Sequence, residues 1–396
     1  MKVLMIHNLY RSATPGGEDN VFRQDRDLLT GAGVDVVCYT KSNDDVDERD
    51  RRQLLRTAAS MHWSRRSYEE ISDVIRRERP TVAHFHNTFP LIGVSGYAAC
   101  ADNGVPVVQT LHNYRTVCAV ATFYRGGQVC EQCTAGNPWP AVWHRCYRDS
   151  LPASAAVAWM LWRNWRSGVY LDMVDRFIVM TRFSADHLAA TGVPRERIVL
   201  KPNFVRLPGT AVPPAGDYAV FAGRLSEEKG VRTLLEAWKL LPDVPLKIIG
   251  DGPLMPEVRR HCEESGLPVE ILGMRSRDEV LGIVAGAQMQ LVPSECFEGA
   301  LPLVAIEAYA CGVPVIASRL GSLQEMIEEG RTGLLFEPQD AADLAGRVRQ
   351  LRDDPALQAR LRQGARECFE AEYTPERSLE RLLGIYSGVR AGSALL

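Results

Sequence analysis

Short apolar runs alternate with longer amphipathic stretches along nearly the whole 396-residue chain. The runs "KVLMIH", "VDVVCYT", "VAHFH", "VPVVQTLH" and "RFIVMT" read as strands. A second set follows: "DYAVFAG", "PLKIIG", "VEILG", "MQLVPS", "VPVIAS" and "GLLFEP". Helical patterns such as "EDNVFRQDRDLLTGAG" and "GVRTLLEAWKLLP" lie between them. Strand–helix alternation over this length predicts an α/β fold, with parallel sheets covered by helices on both faces. The two sets part near "KPNFVRLPGTAVPPAGD", where Pro and Gly cluster and periodicity lapses. The pattern therefore predicts one Rossmann-like domain over 1–206 and a second over 207–372. In 373–396, "TPERSLERLLGIYSGVR" offers Thr374 as N-cap and Pro375 in the first turn of a last helix. That helix is expected to pack back across the domain junction.

The length supports two cores rather than one. At 46% hydrophobic and 24% charged residues, the chain falls within the range of ordinary globular proteins. A net charge of −3 gives no global reason to expect a nucleic-acid partner. The first apolar run is too short for a signal peptide and reads as a strand. No run reaches the roughly 18 apolar residues a membrane span needs, so a cytoplasmic protein is expected. Ten cysteines, mostly single and in apolar surroundings, agree with that.

Two doubly wound domains with a cleft between them suit a nucleotide-bearing ligand, because such sheets bind ligands beyond the carboxyl ends of their strands. In "FAGRLSEEKG" the strand ends at Gly223, where backbone can approach a ligand closely. Arg224 and Lys229 follow, two cations able to neutralise a diphosphate that gains charge as it leaves. A solvated pair of surface cations is the plain alternative. "IIGDGPL", with Gly250, is a second strand-to-turn glycine cluster, and Gly273 with Met274 ends the next strand. The stretch "SECFEGALPLVAIEAYACGVPVIAS" reads as loop, helix, then strand, with Pro302 in the first turn and Gly312 just past the end. The helix start attracts phosphate. Glu307, inside that helix, can accept from both hydroxyls of a ribose diol, and Glu298 in the loop can face a sugar.

These motifs resemble, in order and spacing, the C-terminal half of the retaining glycosyltransferases of family 4. "NLYRSATPGGEDNVF", "HFHN", "TLHNYRTVC" and "KPNFV" resemble that family's N-terminal half, so the likeness covers nearly the whole chain. The resemblance implies a GT-B fold, two Rossmann-like domains facing across a cleft. It also implies a nucleotide-diphosphate-sugar donor and transfer with retention, with no metal or other cofactor needed for catalysis. Arg224 and Lys229 match the pair that contacts the donor diphosphate, and Glu307 the glutamate on the ribose. Glu298 resembles the first glutamate of the family's pair. Here eight residues separate Glu298 from Glu307 instead of seven, and Gly299 holds the position that would keep the spacing. Backbone N–H groups of Ala300 and Leu301 are placed facing the sugar or phosphate. His112 matches a histidine near the reaction centre. The expected catalytic set is His112, Glu298, Arg224 and Lys229.

Gly16 and Gly17 follow the first strand and offer N–H groups to a phosphate or acceptor hydroxyl. His84 and His86 are placed on opposite faces of their strand, with His86 toward the ligand, which argues against a shared zinc. Within 116–150, Cys118, Cys130, Cys133 and Cys146 have the ligand count of a structural zinc site, with reduced thiols or a disulfide as alternatives. That segment resembles an insert of polysaccharide-building members of the family, and it is expected to shape the acceptor mouth. Trp159, Trp162 and Trp165, with Arg163 and Arg166 between them, suit either a membrane interface or a buried helix. A saccharide or polyprenyl-linked acceptor at the inner face of the membrane, with peripheral contact to anionic lipid, follows from the first option. The leading reading is a transferase of cell-surface polysaccharide synthesis. A nucleotide-sugar epimerase and a non-transferring sugar-nucleotide binder are the alternatives.

Overall fold

A computed structural model of the chain describes residues 1–12, 16–134, 136–207 and 216–393. About half of the Pro/Gly stretch read as the domain boundary, 208–215, lies outside the described residues. So do Thr14 and Pro15, just before the glycine pair. The chain forms two compact units. Met1–Phe123, Glu131–Lys201 and the stretch from Leu379 make the first, and Tyr124–Cys130 with Pro202–Ser378 the second.

In chain order the strands are β1 (Lys2–Leu9), β2 (Asp35–Ser42), β3 (Val82–Phe85) and β4 (Val107–Thr110). A short antiparallel hairpin follows, β5 (Tyr124–Arg125) and β6 (Gln128–Val129). Then come β7 (Arg176–Val179) and β8 (Ile198–Leu200). The second unit carries β9 (Ala219–Ala222), β10 (Leu246–Ile249), β11 (Val269–Gly273), β12 (Met289–Val292), β13 (Val315–Ser318) and β14 (Gly333–Phe336). The first sheet runs β2-β1-β3-β4-β7-β8 and the second β11-β10-β9-β12-β13-β14. All neighbours within the two sheets are parallel. The strand order reverses between β1 and β3 in one sheet and between β9 and β12 in the other. At such switch points the loops diverge to opposite faces and leave a crevice beyond the carboxyl ends.

The short inner strands β3, β4, β9, β12 and β13, and the edge strand β14, are buried at every position. Helices cover both faces, so these strands read as unbroken apolar runs rather than as alternation. Leu4, Ile6, Phe85, Val107 and Phe177 anchor the first core. Phe221, Leu234, Trp238, Ile248 and Leu291 anchor the second. The last helix, Pro375–Ser393, begins as read: Thr374 Oγ1 accepts from the N–H of Arg377. Within the first unit its Tyr386 hydroxyl lies 2.7 Å from Nδ1 of His84 on β3.

Candidate active-site residues of each unit

In the second unit the site is built on the switch point. β9 stops at Gly223, whose N–H donates to Ile249 O, and Gly250 N–H donates to Gly273 O. The ends of β9, β10 and β11 are thereby knitted together through backbone at three of the glycines read from sequence. At Gly250 φ is +133°, and a Cβ there would lie 1.9 Å from Gly223 O, so only glycine closes this contact. The exposed Arg224 follows, then a 3₁₀ turn, Glu227–Lys229, closed by Gly230 at φ +67°. A Cβ at Gly230 would meet Pro293 O, beyond β12, at 1.8 Å. Gly230→Ala is therefore expected to destabilise the second unit by at least about 2 kcal/mol, adding a left-handed penalty to a backbone clash. Chemical denaturation checks this, and a change below about 0.5 kcal/mol would sink it.

That close approach brings Lys229 to the loop after β12. Its Nζ lies 2.7 and 2.9 Å from the two carboxylate oxygens of Glu298. Ser294 Oγ donates to the same carboxylate at 2.6 Å, and Ser322 Oγ donates to the Glu298 carbonyl at 2.8 Å. Burial would lower the Lys229 pKa, but the Glu298 charge and hydrogen bond hold it above the ordinary lysine value. The cation therefore persists in a half-buried place. Gly299, Ala300 and Leu301 carry the loop to Pro302, the N-cap of helix Leu303–Ala310. Gly312, at φ +62°, follows its end, as read from sequence.

Glu307 lies in that helix, 6% exposed. Arg277, at the start of helix Arg277–Ala285, places Nε 3.4 Å from its carboxylate. Burial raises the Glu307 pKa, and Arg277 works against that rise. Arg277 lies thirty residues upstream in no motif, so only the fold reveals it. Met274, just past Gly273, is 66% exposed and joins none of these contacts. The hairpin of β5 and β6 is counted with this unit because Tyr124 Oη approaches Glu295 at 3.5 Å and Gln339 donates to Gly127 O.

In the first unit, Gly16 is the N-cap of helix Gly17–Gly31, which starts beside the end of β1. Its Cβ would meet the Tyr10 ring at 2.8 Å, whereas Gly17 has open space around it. Two carboxylates stand in the first turn. Asp19 pairs with His7 Nε2 at 2.7 Å. Since Asn87 N–H donates to His7 Nδ1, the ring proton sits on Nε2 and points at Asp19. Glu18 accepts from Tyr10 Oη at 3.2 Å and from the Asn113 amide. Burial raises the Glu18 pKa, opposed first by the Asn113 hydrogen bond. Asn113 thus ties the glycine turn to His112, its neighbour.

The expectation that His84 and His86 face opposite ways is corrected here. Residues two apart on a strand share a face, and the two rings lie 4.4 Å apart. His84 spends both nitrogens on Tyr386 and Thr110, at 2.7 Å each. His86 Nδ1 lies 3.0 Å from His112 Nε2. Its Nε2 faces Asp25 at 4.0 Å, and Asp25 in turn pairs with Lys201 at 3.4 Å. Nδ1 of His112 is buried with no hydrogen-bond partner among the described residues. It borders a polar cavity of about 50 Å³ lined also by Glu18, Asn113 and Arg115.

Among the described residues no three His, Cys, Asp or Glu side chains are grouped as a metal site. Cys118 is buried, and Cys133 and Cys146 pack against an apolar cluster that includes Met61, Val157 and Leu161. Cys130 belongs with the hairpin of the second unit. The tryptophans divide as well. Trp159 and Trp162 are each 39% exposed, while Trp165 packs on Tyr170 and donates to Thr116 O. No helix among the described residues is long and apolar enough to cross a membrane.

Two family models match the chain, Glycosyltransferase Family 4 over residues 16–207 and Glycosyl transferases group 1 over 210–368. A D-inositol 3-phosphate glycosyltransferase of Pseudarthrobacter chlorophenolicus is 34% identical, over 87% of this chain and 84% of its own. An uncharacterized glycosyltransferase of Methanocaldococcus jannaschii is 33% identical over 43% of this chain and 48% of its own. Three of the curated relatives are matched over less than half their length, 48, 31 and 44%. Among solved structures, Anabaena HepE in complex with UDP superposes with a TM-score of 0.67 at 17% identity, covering 98% of this chain and all of that one. The chain belongs to the family 4 glycosyltransferases of GT-B fold.

Proposed function

We propose that the protein is a retaining glycosyltransferase that moves a sugar from a nucleoside-diphosphate-sugar to a saccharide or lipid-linked saccharide in cell-surface polysaccharide synthesis. The observation that carries this is the cation set at the second switch point: Arg224 exposed beside Gly223, and Lys229 held charged against Glu298. A departing diphosphate gains negative charge as the glycosidic C–O bond breaks, and fixed cations stabilise that charge more than they stabilise the ground state. The acceptor hydroxyl attacks the anomeric carbon on the face the diphosphate leaves. The leaving phosphate oxygen takes the hydroxyl proton, so the pair of bonding electrons and the proton both end on the nucleotide. Arg224 and Lys229 supply the positive charge in place of a catalytic metal. His112, whose Nδ1 has no hydrogen-bond partner among the described residues, is assigned to accept from a sugar hydroxyl. Work at the inner face of the cytoplasmic membrane fits the lipid-linked option. The UDP held by HepE makes a uridine nucleotide the first to try.

Glu307 is assigned to the ribose hydroxyls. Glu307→Ala is expected to weaken nucleotide binding by about 10- to 100-fold, the loss of hydrogen bonds to a charged acceptor. Titration calorimetry with UDP, GDP and ADP, with and without EDTA, tests both points. Binding unchanged in the variant would remove Glu307 from the site, and binding abolished by EDTA would refute the metal-free reading. Anomeric configuration of the product, read by NMR, decides retention.

A further inference from the structure

The larger cavity of the first unit has no part in the reading so far. It has a volume of about 640 Å³, within the 300–1,000 Å³ range of small-molecule sites. One wall is helix Arg51–Ser60, through Leu54, Leu55 and Ala58. Another is helix Leu151–Arg166, which presents Pro152, Ala153 and Ala156. Small residues on that helix leave the space open, and Leu55 stands 71% exposed at the cavity.

Three arginines border this apolar space. Glu48 joins two of them, Arg11 at 3.2 Å and Arg148 at 2.9 Å. The guanidinium of Arg115 stacks 4.7 Å from the Phe89 ring centroid and 5.5 Å from that of Tyr147. Arg148 also lies over the Tyr147 ring, at 5.5 Å. Three cations against one carboxylate leave the lining positive. Arg145, Arg148 and Asp149 hold positive φ without being glycine, so the segment bearing Tyr147 and Arg148 is kept in a costly backbone state. Asn87, Asn113 and Arg115 line both this cavity and the polar one that holds His112. The apolar space and the cavity at His112 therefore meet at Arg115, the one cation common to both linings among the described residues.

We infer that this cavity binds an amphiphile with a phosphate or pyrophosphate head, seated so that the head meets Arg115 and Asn113 and the hydrocarbon lies between helices Arg51–Ser60 and Leu151–Arg166. The inference rests on the transferase reading and specifies its acceptor, a lipid phosphate whose sugar end lies toward His112. An uncharged saccharide would leave the excess positive charge of the lining unbalanced and the apolar walls without a partner.

The test uses the full chain with hexyl, octyl and decyl phosphate, each below its micelle concentration, followed by calorimetry. Decanol and inorganic phosphate are the controls. Affinity is expected to rise about three- to fourfold per added methylene, and decyl phosphate to exceed decanol by at least tenfold. Ala156→Trp, which fills the cavity, is expected to abolish the chain-length gain. Leu55→Glu, an exposed position safe for folding, is expected to weaken decyl phosphate at least tenfold. Arg115→Gln is expected to erase the preference over decanol. Inorganic phosphate binding as well as decyl phosphate would overturn the inference, as would decanol matching it. Binding seen only with phosphatidylglycerol vesicles, and unmoved by these variants, would mean surface adsorption and also overturn it. UDP, GDP and ADP titrated in parallel separate the failures. Binding of UDP, GDP or ADP without decyl phosphate binding defeats only this inference, whereas no binding of any of the three defeats the donor reading.

Discussion

Lys229→Ala is expected to lower the transfer rate by about 10²–10³-fold, the usual effect of removing one fixed group that stabilises transition-state charge. Two losses combine. The diphosphate loses a cation positioned by the 3₁₀ turn, and the Glu298 carboxylate, 11% exposed, loses its ion-pair partner. The uncompensated carboxylate then repels the leaving group. Glu298→Gln should be milder for that reason, since it leaves the lysine in place. Single-turnover rates with saturating donor, alongside UDP affinity, are the measurement. A rate within threefold of the parent, with the fold intact by circular dichroism, would show that the diphosphate leaves elsewhere.

Acid is expected to unfold the first unit from the histidine cluster. His84, His86 and His112 are buried, and burial pushes each ring below the ordinary value of 6.5, His84 to about 3. The Lys201 charge adds to the effect on all three. Unfolded rings take up protons near 6.5 while the folded rings stay neutral. Stability is therefore full above about pH 6.5 and is lost as pH falls from there toward 3. Each such proton contributes about 1.4 kcal/mol per pH unit, large against a total of about 5–15 kcal/mol. Glu18 and Asp25 act the other way. Burial raises their pKa values, so the folded state takes up those protons first and offsets part of the slope. A difference measurement isolates the rings: His84→Gln should reduce the slope of unfolding free energy between pH 6 and 5 by about one proton. An unchanged slope would mean that His84 is already charged in the folded protein.

The histidines of the first unit show where sequence reading slips. The motif "HFHN" points to His86 as a site residue, but the strand's own period puts His84 on the same face rather than the opposite one. The true arrangement, a ring stack leading from Tyr386 to His112, joins residues three hundred positions apart. No local pattern encodes it. Glu298 lies one residue out of the family spacing, and only the folded loop shows its carboxylate on Lys229. The cavity of the arginines was equally hidden, because its walls come from a helix after β2, the segment after β4 and the stretch after β1.

By itself the sequence determined the strand and helix order, the α/β class, the division into two doubly wound sets and the positions of the glycine turns of the second set. These follow from local rules: apolar runs buried on both faces, glycine where φ turns positive, proline and threonine at helix starts. Tertiary structure alone decided which side chains meet. It set the Lys229–Glu298 pair, the Arg277–Glu307 pair, the neutral histidine stack and the gathering of Arg11, Arg115 and Arg148 around one apolar space. Contacts of that kind depend on strand order and crossover. A sheet whose order reverses at its centre brings together loop ends that the chain itself keeps far apart.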